Sequence, residues 1–189
     1  MIKHIKNPSE EVQLAIIGSD PCSIQHIDNP SEMVQLIMSE ITSQDIIELV
    51  KENGHVIRLI KNPSEEIKLA AVKQNGCTVR HIANPSEEVK LAAVKQNGWA
   101  IQYIQRQSDE VKLAAVEQNG LVICYIENPS EEMKLAATRQ NGCAIEWIDD
   151  PSDGIQLEAV KQSVRAINHI KNPCKEAVDF VNVSSIHSE

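Results

Sequence analysis

The sequence predicts an all-α fold, an α-solenoid in which two-helix units stack in chain order into a superhelix. Three observations predict it. An Asn-Pro pair or its equivalent recurs at Asn7-Pro8, Asn29-Pro30, Asn62-Pro63, Asn84-Pro85, Asn128-Pro129, Asp150-Pro151 and Asn172-Pro173, with Arg106-Gln107 in the remaining slot, at intervals of 22 residues except one of 33. Self-similarity at a fixed period in this range marks an array whose units bury their apolar faces against their neighbours. Second, each pair is followed by a helix-forming run that closes in most units with Asn-Gly. Third, 42% hydrophobic residues in 189 suffice for one continuous core, so the whole chain is read as a single helical-repeat domain.

The elements follow in order. Residues 1–29 form N-terminal repeats, and the chain opens directly in the second helix of a unit, helix B. Residues 30–54 carry the long interval and read as two successive first-type helices, Ser31 to about Glu40 and Thr42 to Asn53, with no B helix between them. A deletion accounts for this, and it should bend or offset the stack. Residues 55–172 are regular. In the unit that starts at Asn84, the Asn caps helix A, Pro85 takes the first helical position and Glu87 the third, which is a complete helix start. Val89, Leu91, Ala92, Ala93 and Val94 make helix A apolar on nearly all sides, as expected of a helix between copies of itself. Asn97-Gly98 closes it, with Gly98 expected in the left-handed conformation, and Lys95 in the last turn complements the dipole. Helix B runs from Trp99 to about Gln105, short enough to be 3₁₀ in part. Residues 173–189 form a C-terminal cap and a polar tail from Ser184 to Glu189.

The run Glu88-Val89-Lys90-Leu91-Ala92-Ala93-Val94-Lys95-Gln96-Asn97-Gly98 resembles the short two-helix repeats of bacterial and phage proteins grouped as a domain of unknown function. The Asn-Pro-Ser-Glu-Glu-Val start is also similar to the leucine-rich-repeat variant, whose units alternate an α-helix with a 3₁₀ helix in a right-handed superhelix. The first resemblance implies a microbial or viral origin and an interaction role. Neither implies catalytic residues.

Charge narrows the partners. Eighteen Lys and Arg against 27 Asp and Glu give a net charge of −9, which repels nucleic acid and anionic lipid. The N-terminus has no apolar signal region and no stretch reaches the roughly 18 apolar residues of a membrane span. Five cysteines form no C-x-x-C pair, and the odd number suits a reducing, cytoplasmic setting.

Comparison of the units within the chain separates interior from variable sites. Ile24, Ile57, Val79, Ile101, Ile123, Ile145 and Ile167 recur at one helix-B position and Ile27, Ile60, Ile82, Ile104, Ile126, Ile148 and Ile170 at another, which marks both as core. Two residues beyond the first position stand His4, His26, Leu59, His81, Tyr103, Tyr125, Trp147 and His169. One turn earlier come Cys22, His55, Cys77, Trp99, Leu121, Cys143 and Arg165. Both Trp, both Tyr and five of the six His thus share one ridge. Trp and Tyr are enriched in binding hot spots. The candidate partner-binding residues are Trp99, Tyr103, Leu121, Tyr125, Trp147, His81 and His169, with Arg58 and Arg80 beside them. Large side chains at one site in adjacent units also serve to seal the layer between B helices, so packing is the competing role. The variety of residue types at these sites favours binding. Charge around the ridge changes from Arg58, Lys61 and Arg80 to Glu127, Glu146, Asp149 and Asp150.

Chemistry is sparse. Cys77 with His81 and Cys22 with His26 have the i, i+4 spacing of metal ligands, yet each pair is two ligands short and the next unit offers only Trp99 and Tyr103. There is no phosphate loop, H-E-x-x-H or G-x-S-x-G motif. No catalytic residue, metal site or cofactor is expected, and the chain reads as a protein-binding solenoid acting as a scaffold or inhibitor. Two alternatives belong to other classes. Nucleic-acid binding would use Lys51, Arg58, Lys61, Lys73, Arg80 and Lys95, against the net charge; small-molecule or nucleotide binding would stack a flat ligand on Trp99, Tyr103 and Tyr125. Oligomeric state is open.

Overall fold

A computed structural model describes Ser9 and residues 43–186; the expected N-terminal repeats, the first of the two successive A helices and the last residues of the tail lie outside the described residues. Among the described residues there are seven α-helices and six 3₁₀ helices and no strand. In chain order they are α1 (Ser43–Glu52), η1 (Gly54–Leu59), α2 (Glu65–Gln74), η2 (Gly76–His81), α3 (Glu87–Gln96), η3 (Gly98–Tyr103), α4 (Asp109–Gln118), η4 (Gly120–Tyr125), α5 (Glu131–Gln140), η5 (Gly142–Trp147), α6 (Asp153–Gln162), η6 (Val164–His169) and α7 (Lys175–Ile186). Every α-helix after α1 begins 22 residues after the one before, so α1, the second of the two expected successive A helices, is already in register with the array.

Each α-helix packs on the next, 3₁₀ helices pack on their neighbours, and each α-helix after α1 also packs on the 3₁₀ helix that precedes it. Two parallel layers result, α and 3₁₀, with the core between them. Ala71, Ala93, Ala115, Ala137 and Ala159 are wholly buried at the centre of the α layer, where a small side chain lets adjacent helices approach closely. The expected inner sites are buried from Ile57 to Ile145 and from Ile60 to Ile170, whereas Ile167, near the end of the array, is half-buried.

Helix B is 3₁₀ over its full six residues, Gly98–Tyr103 in the unit above, and Ile104 follows in extended conformation. The tighter 3₁₀ turn lets a short segment span one layer and return to the next helix start.

Two local expectations need correction. The N-cap of helix A is the Ser of Asn-Pro-Ser: Ser86 Oγ accepts from the Val89 amide at 3.2 Å, as Ser64, Ser108 and Ser130 do in their units. Asn84 instead holds φ 50°, as Asn62, Asn128, Asp150 and Arg106 hold comparable positive values. Asn and Asp tolerate this left-handed conformation best, and Pro fixes the φ that follows it. The Asn-Pro pair is therefore the link that turns the chain from a 3₁₀ helix to the next α-helix.

Second, no glycine among the described residues has a positive φ. Helix A closes in extended backbone at Asn97, whose Oδ1 accepts from Trp99 N at 3.0 Å and so starts the 3₁₀ helix. Gly98 is required for space. A Cβ there would sit 2.8 Å from Ala115 O and 2.7 Å from Gln118 Oε1 of the next unit. That closeness lets Gly98 N donate to Gln118 Oε1 at 2.6 Å. The same bond joins Gly54 to Gln74, Gly76 to Gln96, Gly120 to Gln140 and Gly142 to Gln162. In several units the same Gln donates through Nε2 to the last residue of the preceding α-helix, as Gln96 does to Gln74 O at 3.5 Å. A ladder of side-chain bonds thus ties unit to unit along one edge. Among the described residues every buried side-chain polar atom has a partner.

Candidate binding ridge

The 3₁₀ helices present the ridge because Asn97 and its equivalents start η1 to η5 at the same point and the inner Ile residues face the core. Among the described residues the first row is half-buried at His55, Cys77, Trp99, Leu121 and Cys143, and Arg165, at the end of the array, is exposed. Trp99 and Leu121 pack against the hydrophobic core. Polar members of this row are tied to the next unit: Asn75 Nδ2 lies 3.2 Å from His55 Nε2, and Asn97 Nδ2 donates to Cys77 Sγ at 3.4 Å.

The second row is outward. His81 and His169 are exposed, and Tyr103, Tyr125 and Trp147 keep 39%, 43% and 54% of their surface in solvent. Leu59 is half-buried. The two rows meet diagonally across units. The His55 ring contacts His81 edge-on at 6.0 Å, and Trp99 contacts Tyr125 in the same way at 5.9 Å. Such T-shaped pairs add about 0.5–1.5 kcal/mol beyond area burial. Packing and exposure are thus divided between the rows: the inner row seals the layer, and the outer row leaves ring surface uncovered.

Charge follows the same register. Arg58 and Arg80 are exposed on η1 and η2, and the Arg80 guanidinium lies 5.8 Å from the centre of the Tyr103 ring. Burial, and then the charges of Arg80, His55 and Arg58, hold His81 below its ordinary value, which keeps the imidazole neutral at neutral pH. His169 Nδ1 lies 3.6 Å from Glu146 Oε2. Partial burial raises the Cys124 thiol, so it is not a thiolate at neutral pH.

The six cations of the nucleic-acid alternative do not share one element type. Lys51, Lys73 and Lys95 lie in the last turns of α1, α2 and α3, whereas Arg58 and Arg80 lie on 3₁₀ helices, and Lys51 is 2.8 Å from Glu48. Among the described residues no three His, Cys, Asp or Glu side chains are grouped to hold a metal ion, and no helix is long and apolar enough to cross a membrane.

Sequence reasoning missed two features. The recurrence of Gln74, Gln96, Gln118, Gln140 and Gln162 was a visible signal of the ladder. The cleft between successive links had none. Between η2 and η3 it encloses about 530 Å³ and is lined by Arg80, Asn84, Lys90, Tyr103, Gln105 and Arg106 among others.

A family described as a domain of unknown function (DUF4116) matches residues 86–134, which span α3 to the start of α5. No curated protein and no solved structure matches the chain.

Proposed function

We propose that this chain is a non-enzymatic, protein-binding solenoid that acts as a scaffold or inhibitor through the outer row of its 3₁₀ layer. The observation that carries the reading is the column of Tyr103, Tyr125 and Trp147, whose rings stay 39–54% exposed although their neighbours one turn earlier are packed. Exposed large aromatics on a rigid support carry most of the energy of typical protein interfaces, and successive units hold these three at fixed spacing. An interior role does not need solvent-exposed rings. The acidic net charge of −9 disfavours nucleic acid as the partner. The reading suits a bacterial or phage protein that engages a host factor.

The test is affinity capture from a bacterial lysate with the full chain, quantified against a Tyr103→Ala, Tyr125→Ala, Trp147→Ala triple variant. Loss of specific captured proteins with the variant is the expected outcome. Equal capture by both would exclude the ridge as the contact.

A further inference from the structure

The repeat register shows what the outer rings accept. Arg80 reaches the ring 23 positions later, Tyr103, and places a guanidinium over it at 5.8 Å. The same relation brings Glu146 to His169 at 3.6 Å, so the position before each outer ring of the next unit is its natural cover. For Tyr125 and Trp147 that cover is Gln102 and Cys124, both uncharged. Gln102 turns away and donates through Nε2 to Trp99 O at 3.0 Å. The two most exposed rings of the ridge therefore lack the cation that their neighbour has.

The positions that line the cleft change sign along the array. Between η2 and η3 the cleft gathers Arg80, Ala83, Tyr103, Gln105 and Arg106. Two units later the same positions hold Cys124, Glu127, Trp147, Asp149 and Asp150. Glu127, Asp149 and Asp150 are exposed and have no ion pair among the described residues. The Lys90 position becomes Lys134, and in both sites the ammonium is held by the carboxylate three residues before it, Glu87 at 3.2 Å and Glu131 at 2.7 Å. By repeat equivalence, one ring and three carboxylates thus take the positions that, earlier in the array, Arg80 and its neighbours hold.

We propose that the Tyr125–Trp147 segment of the ridge docks an arginine-rich segment of a partner protein, with guanidinium groups stacked on the two rings and held by Glu127, Asp149 and Asp150. This rests on the ridge being the contact surface and specifies what it contacts. A guanidinium suits the site because it stacks flat on an aromatic face while its edge donates to carboxylates, which the compact ammonium of lysine does less well.

The test is fluorescence anisotropy of a labelled ten-residue peptide alternating Arg and Ser, titrated with the full chain, beside a matched Lys-Ser peptide. The variants are Trp147→Ala, the neutralised set Glu127→Gln, Asp149→Asn, Asp150→Asn, and a charge-matched control on the α layer, Glu66→Gln, Glu88→Gln, Glu110→Gln. Because all the altered side chains except Trp147 are exposed carboxylates, circular dichroism should report intact helix in each. Expected are tighter binding of the Arg peptide than of the Lys peptide, a loss of at least about tenfold for Trp147→Ala and for the cleft set, and little change for the control set. Equal weakening in the control set would show a net-charge effect and overturn the site. So would a dimer in sedimentation that the Trp147→Ala change dissolves, since a second copy would then be the occupant. If the Arg peptide does not bind while lysate capture still depends on the outer rings, the charge assignment fails and the ridge stands; if both fail, the ridge itself is wrong.

Discussion

Trp99 and Trp147 occupy neighbouring columns of one ridge yet differ in what their removal should do. Trp99 is half-buried against the core and meets the Tyr125 ring, so Trp99→Ala should cost about 3 kcal/mol of stability. Trp147 is 54% exposed, and Trp147→Ala should cost well under about 1 kcal/mol. Urea denaturation of the two variants measures the difference, and similar costs would mean that both rings are packing residues. Glycine offers a second contrast. A Cβ on Gly98 would meet backbone and Gln118 within 3 Å, so Gly98→Ala should destabilise by roughly 2 kcal/mol through forced separation of two units. Gly154 has nothing within 4 Å of that position and lies in the first turn of α6. Gly154→Ala should stabilise by about 0.5 kcal/mol, seen as a higher melting temperature.

At the scale of the element, the helix starts at Ser86 and Ser108 do two tasks. Ser108 Oγ accepts from Val111 N at 3.2 Å and donates to the Glu87 carboxylate of the preceding unit; Ser86 and Glu65 repeat the arrangement. The serine hydroxyl, and then Lys90, hold Glu87 below the ordinary carboxylate value. Its folded pKa is lower than its unfolded one, so the stabilisation is complete above the ordinary carboxylate range and is lost as the pH falls through the lowered value. Ser108→Ala should cost about 1 kcal/mol from the cap alone and return the Glu87 pKa toward its ordinary value. Carbon-detected NMR titration of the Glu side chains reads the second effect, and an unmoved Glu87 would remove the serine as its cause. The asparagines show how one residue type serves different ends. Asn84 turns the link at positive φ, whereas Asn97 ends an α-helix in extended backbone and starts a 3₁₀ helix with its side chain.

At the scale of the molecule, the elements of the described residues pack chiefly on their own unit and the adjacent ones. Stability is then a sum of unit and nearest-neighbour contributions. Ala115, wholly buried where α4 lies between α3 and α5, is the place to break that chain. Ala115→Leu should split a single urea transition into two, with amide protection lost first in α3 to α5 while the ends persist. A single transition shifted as a whole would show coupling beyond nearest neighbours. Because order along the chain is order in space, Arg58 and Arg80 on η1 and η2, Glu146 on η5 and Arg165 on η6 follow one another along the 3₁₀ layer, basic, then acidic, then basic.

The sequence by itself determined the period, the two elements of each unit and the interior positions, since Ile101, Ile123 and their equivalents recur wherever one face must be apolar. In a nearest-neighbour array that pattern is sufficient to define the stack. Only the tertiary structure decided that Gly98 serves close approach, that Trp99 is covered while Trp147 is open, and that Arg80 lies over Tyr103. Each of these depends on the separation and offset of two units whose residues stand some twenty positions apart, and no local propensity encodes a distance between layers.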